Sequence, residues 1–270
     1  MCTLIAGVEV LGPRTLIVGA NRDESPERAS APPGILRDRP RVAGGKDLVA
    51  GGTWLAVREA RAVTALMNRR PSAPAAAPTP LRSRGLLCLD AAAAGPSHDA
   101  PHAIDPGTGD RHATRLHAAL ALIGRDAYAA CTLVGLDVEE PSWAVLAETG
   151  VPPVVRMLEP GWHVLTHADV DDRSEPRTRW LLDRLERWDR GGGGADEALE
   201  RVADLLRVHA DSEGGTPGVC LHRERFPTVS STLLALGDVG QGGTSGRVTY
   251  RHAAGPPCVT PYEDVSSLLA

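Results

Sequence analysis

The chain has 270 residues, a formal net charge of −5 at pH 7 and 42% hydrophobic residues, as in ordinary globular proteins. The acidic balance excludes a nucleic-acid-binding protein of the usual basic kind. The sequence contains no apolar run of about 18 residues and no basic segment followed by an apolar leader. We therefore expect a cytoplasmic protein without a membrane span.

Five cysteines are scattered through the chain, and none belongs to a C-x-x-C pair. Their odd number and their spacing argue against a disulfide framework and against a zinc site. The histidines His98, His102 and His112 are also spaced too irregularly to indicate a metal site. We therefore expect no metal and no cofactor, and a reducing compartment would keep the thiols free.

The first 25 residues predict a β-hairpin. Two short apolar runs flank the sequence Leu-Gly-Pro-Arg at 11–14, which is typical of a tight reversal between strands. A two-residue loop would place Cys2 opposite Asp23, and a loop one residue longer would place Arg22 or Glu24 there. In each case a cysteine near the chain start lies beside an Asn-Arg-Asp-Glu cluster at a strand end.

Cys2 is a candidate nucleophile. Because cysteine is small, an aminopeptidase can remove Met1 and leave Cys2 with a free α-amine, whose pKa of about 7.7–8.0 suits a general base. Arg22 would favour the thiolate, and Asp23 would hold the ammonium group or the substrate. The alternative interpretation is a cysteine at position 2 by chance, next to an ordinary polar strand end.

Beyond residue 25 the pattern predicts strand pairs, then helices, then strands again. The segment 25–40 contains four prolines and predicts a loop, and flexible segments are expected near 71–80 and 191–194. Strands are predicted at 48–57, 61–67, 131–136, 143–148, 154–158, 163–166, 228–236 and 247–251, the fifth and sixth forming a hairpin. Helices are predicted at 81–94, 111–123, 178–188 and 195–209. This order favours two packed sheets with outer helices.

Four sequence blocks resemble the NRDE family, which is named after its tetrapeptide and includes transport and Golgi organisation protein 2. The blocks are Met1–Leu4, Gly19–Glu24, Gly51–Leu55 and Thr64–Asn68, and they cover about the first 70 residues densely. The family is in turn similar to N-terminal nucleophile (Ntn) hydrolases of the choloylglycine hydrolase and penicillin V acylase type. The resemblance implies an α+β fold, a four-layer αββα sandwich of two antiparallel sheets, as a single domain over 1–270.

The resemblance also implies a site. Cys2, with Arg22 and Asp23, would be the catalytic centre, and Asn68 at the end of its strand would help bind the oxyanion, because an amide N–H donates without titrating. The substrate pocket would be lined by Asn21, Glu24, Thr53 and Trp54. From the residues alone, Trp54 suits the core and the floor of a pocket equally, whereas Asn68 is better explained as a turn residue that ends its strand.

The family pattern breaks at two positions. Relatives carry an asparagine where this chain has His167, after Leu-Thr at 165–166. Histidine can still donate a hydrogen bond to an oxyanion, but its charge then depends on pH. Val229 stands where relatives carry an arginine, and Arg223 and Arg225 are nearby candidates to replace it.

Two functions follow as expectations. The first is a cysteine amidohydrolase that cleaves an amide or related acyl bond of a small molecule. The second is a non-catalytic carrier or trafficking protein that uses the same pocket for a lipid or haem-like ligand, although a Cys-Pro haem motif is absent. No Gly-x-Gly-x-x-Gly or Walker sequence indicates a nucleotide.

Overall fold

The computed structural model describes residues 2–71, 81–95, 114–188, 193–211, 215–238 and 248–270. Their contacts divide them into two compact units. The described residues within Met1–Ala29, Glu159–Leu268 and Ala270 form one unit, and those within Ser30–Leu158 and Leu269 form the other. Each unit contains one antiparallel sheet, so the predicted class of α+β with two antiparallel sheets is confirmed. The single domain expected over 1–270 stays a prediction.

The strands, in chain order, are β1 (Thr3–Val8), β2 (Thr15–Asp23), β3 (Ser30–Arg37), β4 (Val42–Asp47), β5 (Leu55–Arg58), β6 (Ala62–Asn68), β7 (Cys131–Asp137), β8 (Ser142–Glu148), β9 (Val151–Leu158), β10 (Gly161–Leu165), β11 (Thr228–Gly237), β12 (Thr249–Ala253) and β13 (Glu263–Asp264). The α-helices are α1 (Arg84–Ala93), α2 (Thr114–Arg125), α3 (Pro176–Glu186) and α4 (Ala195–Leu206), and a 3-10 turn follows at Ser266–Leu269. Among the described residues, no helix is long and apolar enough to cross a membrane.

The sheet of the first unit has the strand order β10-β1-β2-β11-β12-β13. Strands β1 and β2 are buried along almost their whole length, as continuous apolar runs in the middle of a sheet are expected to be. Helices α3 and α4 cover this sheet through a core that includes Ile5, Ile17, Leu181, Leu199 and Leu233.

Gly19 allows α4 to approach the sheet closely. A Cβ atom added at Gly19 would lie only 2.2 Å from a Val202 methyl carbon. The glycine in the Gly-Ala-Asn-Arg-Asp-Glu block therefore serves helix packing on β2, three positions before the polar strand end.

The first hairpin forms, but its register is shifted. Thr3 pairs with Asn21, and Val8 pairs with Leu16, so the next position across from Cys2 belongs to Arg22 and not to Asp23. The prediction of a two-residue loop is wrong, because the reversal spans 9–14, where Glu9, Gly12 and Arg14 adopt positive φ angles. Arg22 is one of the two residues predicted to lie opposite Cys2 if the loop is one residue longer.

The sheet of the second unit has the order β3-β4-β5-β6-β7-β8-β9. Helices α1 and α2 pack on it through buried apolar residues such as Leu87, Ala119, Leu133 and Val145. Helix α1 lies within the predicted range 81–94 and α2 matches the predicted helix to within three residues at each end.

Three sequence predictions in this region are wrong. The strand predicted at 48–57 begins only at Leu55, because the segment with Gly51 and Gly52 forms a turn. The proline-rich segment 25–40 contains β3, whose prolines Pro32 and Pro33 are tolerated because β3 is an edge strand with register shifts. The pair 154–158 and 163–166 is not a hairpin, since β9 pairs with β8 and β10 pairs with β1. The Glu-Pro-Gly turn at 159–161 instead joins the two sheets.

Several expectations fall outside the described residues. The flexible segments predicted at 71–80 and 191–194 lie mostly outside them, and His98, His102 and His112 lie wholly outside. These expectations stay predictions.

His163 on β10 makes two short hydrogen bonds. Its Nδ1 lies 2.7 Å from Asp171 Oδ2 and its Nε2 lies 2.7 Å from the Glu159 carbonyl oxygen. Burial lowers the pKa of His163, but these two hydrogen bonds outweigh burial, so the pKa lies above its ordinary value. The charged imidazole, in which both nitrogens donate, is therefore the form that the folded chain favours.

We expect His163→Gln to destabilise the chain by about 1–2 kcal/mol at pH 5.5 and by less at pH 8.5. A raised folded-state pKa stabilises the fold below the unfolded value, about 6.5, and this stabilisation is lost as pH rises through the folded value. Urea unfolding at both pH values measures the difference, with His117→Gln on the exposed side of α2 as control. A deficit that does not change with pH would contradict this assignment.

Candidate functional site

Cys2 directly precedes β1 and is half-buried. The β1–β2 pairing carries it to the end of β2, where its Sγ donates to the Asp23 carbonyl oxygen at 3.9 Å. Burial and the nearby Asp23 carboxylate raise the pKa of the Cys2 thiol, whereas the hydrogen bond to the Asp23 backbone and the Arg22 charge act in the opposite direction. The sequence-predicted neighbourhood of Cys2, Arg22 and Asp23 is thus present.

The Asp23 carboxylate is buried at the end of a central strand. Thr228 Oγ1, at the start of β11, donates to Asp23 Oδ1 at 2.7 Å. Arg177 Nη1 lies 4.0 Å from Asp23 Oδ2. Burial raises the pKa of Asp23, and the Thr228 hydrogen bond and the Arg177 charge lower it, with burial the stronger effect. Both neighbours therefore favour the ionised form of the carboxylate.

Arg177 is a site residue that the sequence did not indicate. It is the second residue of α3, only 6% exposed, and its Nη1 donates to Thr3 Oγ1 at 2.9 Å. The helix predicted from residue 178 leaves Arg177 outside it. The available signal was Glu175 before Pro176, because an acidic cap followed by proline marks a helix start.

Arg22 and Glu24 interact with each other. Arg22 is buried, and its Nη2 lies 3.9 Å from Glu24 Oε2, which also lies 3.8 Å from Arg28 Nε. Across the sheet, Arg22 pairs with Ser230 of β11. The Arg22 guanidinium is therefore held close enough to Cys2 to lower the pKa of its thiol.

Asn21 has a clear structural contribution. Its side chain is buried, and Nδ2 donates to the carbonyl oxygens of Leu206 at 2.9 Å and Val219 at 3.1 Å. Asn21 thereby ties the end of α4 and the segment before β11 to the central strand. The pocket role expected for Asn21 stays a prediction.

His167 lies at the same end of the sheet as Cys2. Strand β10 pairs with β1 up to Leu165 and Leu4, and His167 follows two residues later. The His167 charge adds to the hydrogen bonds from Ser174 in lowering the pKa of Asp172. Its expected role at an oxyanion stays a prediction.

The two arginines considered as replacements near Val229 differ. The Arg225 guanidinium lies over the Phe226 ring, with 5.5 Å between its Cζ atom and the ring centroid. The Arg223 charge reaches Arg177, where it adds to burial in lowering the pKa of the Arg177 guanidinium. Of the two arginines, Arg223 is therefore the one whose charge acts on a residue of the site.

The remaining predicted site residues belong to the second unit. Asn68 is the exposed last residue of β6. Thr53 is buried, donates from Oγ1 to the Leu55 carbonyl oxygen and from its backbone N–H to Gly85. The Trp54 ring fills the space over Gly45. The roles predicted for Asn68, Thr53 and Trp54 in catalysis or in a pocket stay predictions.

A second polar cluster lies in the first unit. The potential ligand atoms of His209, Cys220, His222 and Cys258 all lie within 4.8 Å of one another. The spacing of the cysteines did not predict this cluster, because the fold brings together side chains up to 49 positions apart. These residues could hold a metal ion.

A comparison with known protein families gives a match over most of the chain. The sequence model of the family described as Transport and Golgi organisation 2 matches residues 1–228. No curated protein sequence matches the chain.

Solved structures of low sequence identity share the fold. A Caenorhabditis elegans N-acylethanolamine-hydrolyzing acid amidase ortholog matches with a TM-score of 0.54 and 13% identity, over 90% of this chain and 95% of that one. The C2A mutant of conjugated bile acid hydrolase from Clostridium perfringens gives 0.53 and 10%, over 100% and 94%. Penicillin V acylase from Agrobacterium tumefaciens gives 0.54 and 11%, over 100% and 88%. The likeness to these Ntn hydrolases confirms the predicted fold class.

We expect Arg177→Met to destabilise the chain by about 2–4 kcal/mol at pH 7, because it leaves the buried Asp23 carboxylate with less compensation. Without the arginine charge the Asp23 pKa rises further, so the folded state holds its proton to higher pH. The loss of stability should therefore grow as pH rises and shrink towards pH 4.

Urea unfolding of Arg177→Met, Asp23→Asn and the double variant forms a double-mutant cycle that measures this coupling. Arg173→Met, an exposed arginine just before α3, is the matched control and should change stability less. Additive effects of the two single substitutions would show that Arg177 does not stabilise Asp23.

Proposed function

This chain belongs to the Transport and Golgi organisation 2 family, and from that premise we propose that it is an N-terminal cysteine hydrolase. Its substrate would be an amide or related acyl bond of a small molecule, and Met1 would be removed so that Cys2 carries a free α-amine. The structural neighbours, an acid amidase, a bile acid hydrolase and an acylase, support this reaction class.

One observation carries the proposal. The Cys2 sulfur lies at the end of a central strand beside a buried carboxylate, Asp23, and two buried arginines, Arg22 and Arg177. Burying three charged side chains is costly unless they compensate one another. Because such a cluster adds little to stability, its cost favours a chemical role.

The proposed reaction needs no group from outside the chain except water. The α-amine of Cys2 takes the thiol proton, and the thiolate sulfur bonds to the amide carbonyl carbon. As the C–N bond breaks, the α-ammonium returns the proton to the departing nitrogen, and an acyl thioester remains on Cys2. Water, deprotonated by the same amine, then adds to the acyl carbon, and the C–S bond breaks to restore the thiol.

The neighbours would act on the charges of these steps. Asp23 would neutralise the α-ammonium group after each proton transfer, and Arg22 would stabilise the thiolate. His167, at the same end of the sheet, would donate a hydrogen bond to the oxyanion. Arg177 would be a positioning residue, since it contacts Thr3 and the Asp23 carboxylate.

A second candidate function is a non-catalytic carrier for a lipid or haem-like ligand. Burial and the Asp23 charge raise the pKa of the Cys2 thiol. Because a protonated thiol is a poor nucleophile, this shift favours the carrier. His167, at a position where the family resemblance implies an asparagine, also favours it. The two functions differ in whether an acyl group becomes bonded to Cys2.

A covalent-adduct assay distinguishes them. The chain is prepared with a removable tag that leaves Cys2 first, and in a second form with a fixed extension before Cys2. Both are mixed with a panel of N-acyl amides carrying aliphatic or aromatic acyl groups, and intact mass is recorded with time.

We expect the mass of the processed chain to increase by that of the acyl group. This adduct should form at least about 10²-fold faster than on the extended chain, because only the processed chain has the Cys2 α-amine as a base. Cys2→Ala should abolish the adduct, and Cys88→Ala, which removes a buried thiol of the second unit, should retain it. An equal adduct in Cys2→Ala, or ligand binding with neither an adduct nor release of the free acid, would contradict the hydrolase and favour the carrier.

A further inference from the structure

Four side chains of the first unit converge around one point. Cys220 Sγ lies 3.5 Å from Cys258 Sγ, His222 Nε2 lies 3.1 Å from Cys258 Sγ, and Cys220 Sγ lies 3.8 Å from His222 Nε2. The His209 ring lies edge-on to the His222 ring, with 4.9 Å between their centroids. All four potential ligand atoms lie within 4.8 Å of one another.

The distances among Cys220, His222 and Cys258 fit a tetrahedral zinc ion. Zinc with Zn–S bonds of about 2.3 Å and Zn–N bonds of about 2.0–2.1 Å holds its donor atoms roughly 3.3–3.8 Å apart. The three measured separations lie close to that range. We propose that His209, Cys220, His222 and Cys258 bind one zinc ion.

The donor set favours zinc over harder cations. Two thiolates and two imidazoles are the ligands of Cys₂His₂ zinc sites, whereas magnesium and calcium require oxygen ligands. Two thiolates would also neutralise the charge of a divalent ion. Four protein donors leave no open position, so the site is structural and not catalytic.

The ligands come from three segments that the backbone already holds together. His209 follows α4, Cys220 and His222 precede β11, and Cys258 lies between β12 and β13. The backbone N–H groups of Val219 and Cys220 both donate to the Val208 carbonyl oxygen at 2.9 Å.

The Cys258 segment is tied to the same helix end. Arg207 Nε donates to the Pro257 carbonyl oxygen at 3.3 Å, and the N–H of Thr260 donates to Pro256 at 2.9 Å. The Cys258 segment is therefore positioned by contacts that do not involve the metal. The metal would complete a framework that is largely in place.

The site is connected to Asp23 by hydrogen bonds. Leu221, between two of the ligands, donates from its N–H to Thr228 Oγ1 at 2.9 Å, and Thr228 Oγ1 donates in turn to Asp23 Oδ1 at 2.7 Å. The Thr228 N–H also donates to the Leu221 carbonyl oxygen at 2.9 Å. Zinc would fix Leu221 and thereby hold the Thr228 hydroxyl towards the carboxylate.

A disulfide between Cys220 and Cys258 is the competing state. Its formation would require the two sulfur atoms to approach from 3.5 Å to about 2.05 Å. A disulfide would remove both thiolates, so zinc binding and this disulfide exclude each other. The experiment must therefore measure both the bound zinc and the Cys220–Cys258 disulfide.

The full-length chain is purified under reducing conditions with a tag that binds no metal, and its zinc content is measured by plasma mass spectrometry. We expect about one zinc per chain, falling below about 0.1 in Cys258→Ser and in His222→Ala. Cys131→Ser, which alters a buried cysteine of the second unit, should retain the zinc.

A second measurement uses the unaltered chain, so that misfolding of a variant does not decide the result. Zinc is removed with a chelator, cobalt is added, and the visible absorption of tetrahedral thiolate-bound cobalt is recorded. Zinc should also protect Cys220 and Cys258, but not Cys2, from alkylation.

The proposal is overturned if the folded chain contains no zinc and binds neither added zinc nor cobalt. It is equally overturned if mass spectrometry after purification under reducing conditions shows a Cys220–Cys258 disulfide. Neither readout depends on hydrolysis, so these results stand apart from those for the proposed enzyme.

Discussion

The buried carboxylate of Asp23 is the constraint on which the rest of the first unit depends. A charge at the end of a central strand must be compensated, and here the compensation comes from Thr228 on β11 and Arg177 on α3. Arg177 also binds Thr3 at the start of β1. Strand β11 and helix α3 therefore meet β1 and β2 at the strand end where Cys2 lies.

The polar strand end and the Cys₂His₂ cluster form one continuous arrangement. Asn21 donates to the carbonyl oxygens of Leu206 and Val219. Strand β2 therefore holds both the end of α4 and the residue that precedes Cys220. Leu221 and Thr228 extend the connection to Asp23. A structural metal at the cluster would add a cross-link to a segment that Val219 already anchors in the core. The candidate chemistry and the candidate metal would then share a scaffold, although they use different side chains.

Local signals predicted part of this arrangement. The two apolar runs sufficed to bring Cys2 beside Arg22 and Asp23, because a hairpin depends on neighbouring residues. The register was wrong by one position, since a six-residue reversal with several positive φ angles leaves no simple turn signature. Arg177 and the cluster of Cys220 with Cys258 could not be predicted, because only the tertiary fold brings such distant residues together. Strand β3 was predicted as a loop because the prolines that mark a loop are tolerated in an edge strand.

The reactivity of the Cys2 thiol tests the central claim most directly. With a residue in front of Cys2, burial and the Asp23 charge raise the pKa of the thiol, so alkylation by iodoacetamide at pH 7 should be slow. Once Cys2 is the first residue, its α-amine lies beside the sulfur, and each unit by which the thiol pKa falls gives about tenfold more thiolate. We predict that alkylation of Cys2 at pH 7, followed by peptide mass, is at least about tenfold faster in the processed chain. Equal rates in the two forms would contradict the account.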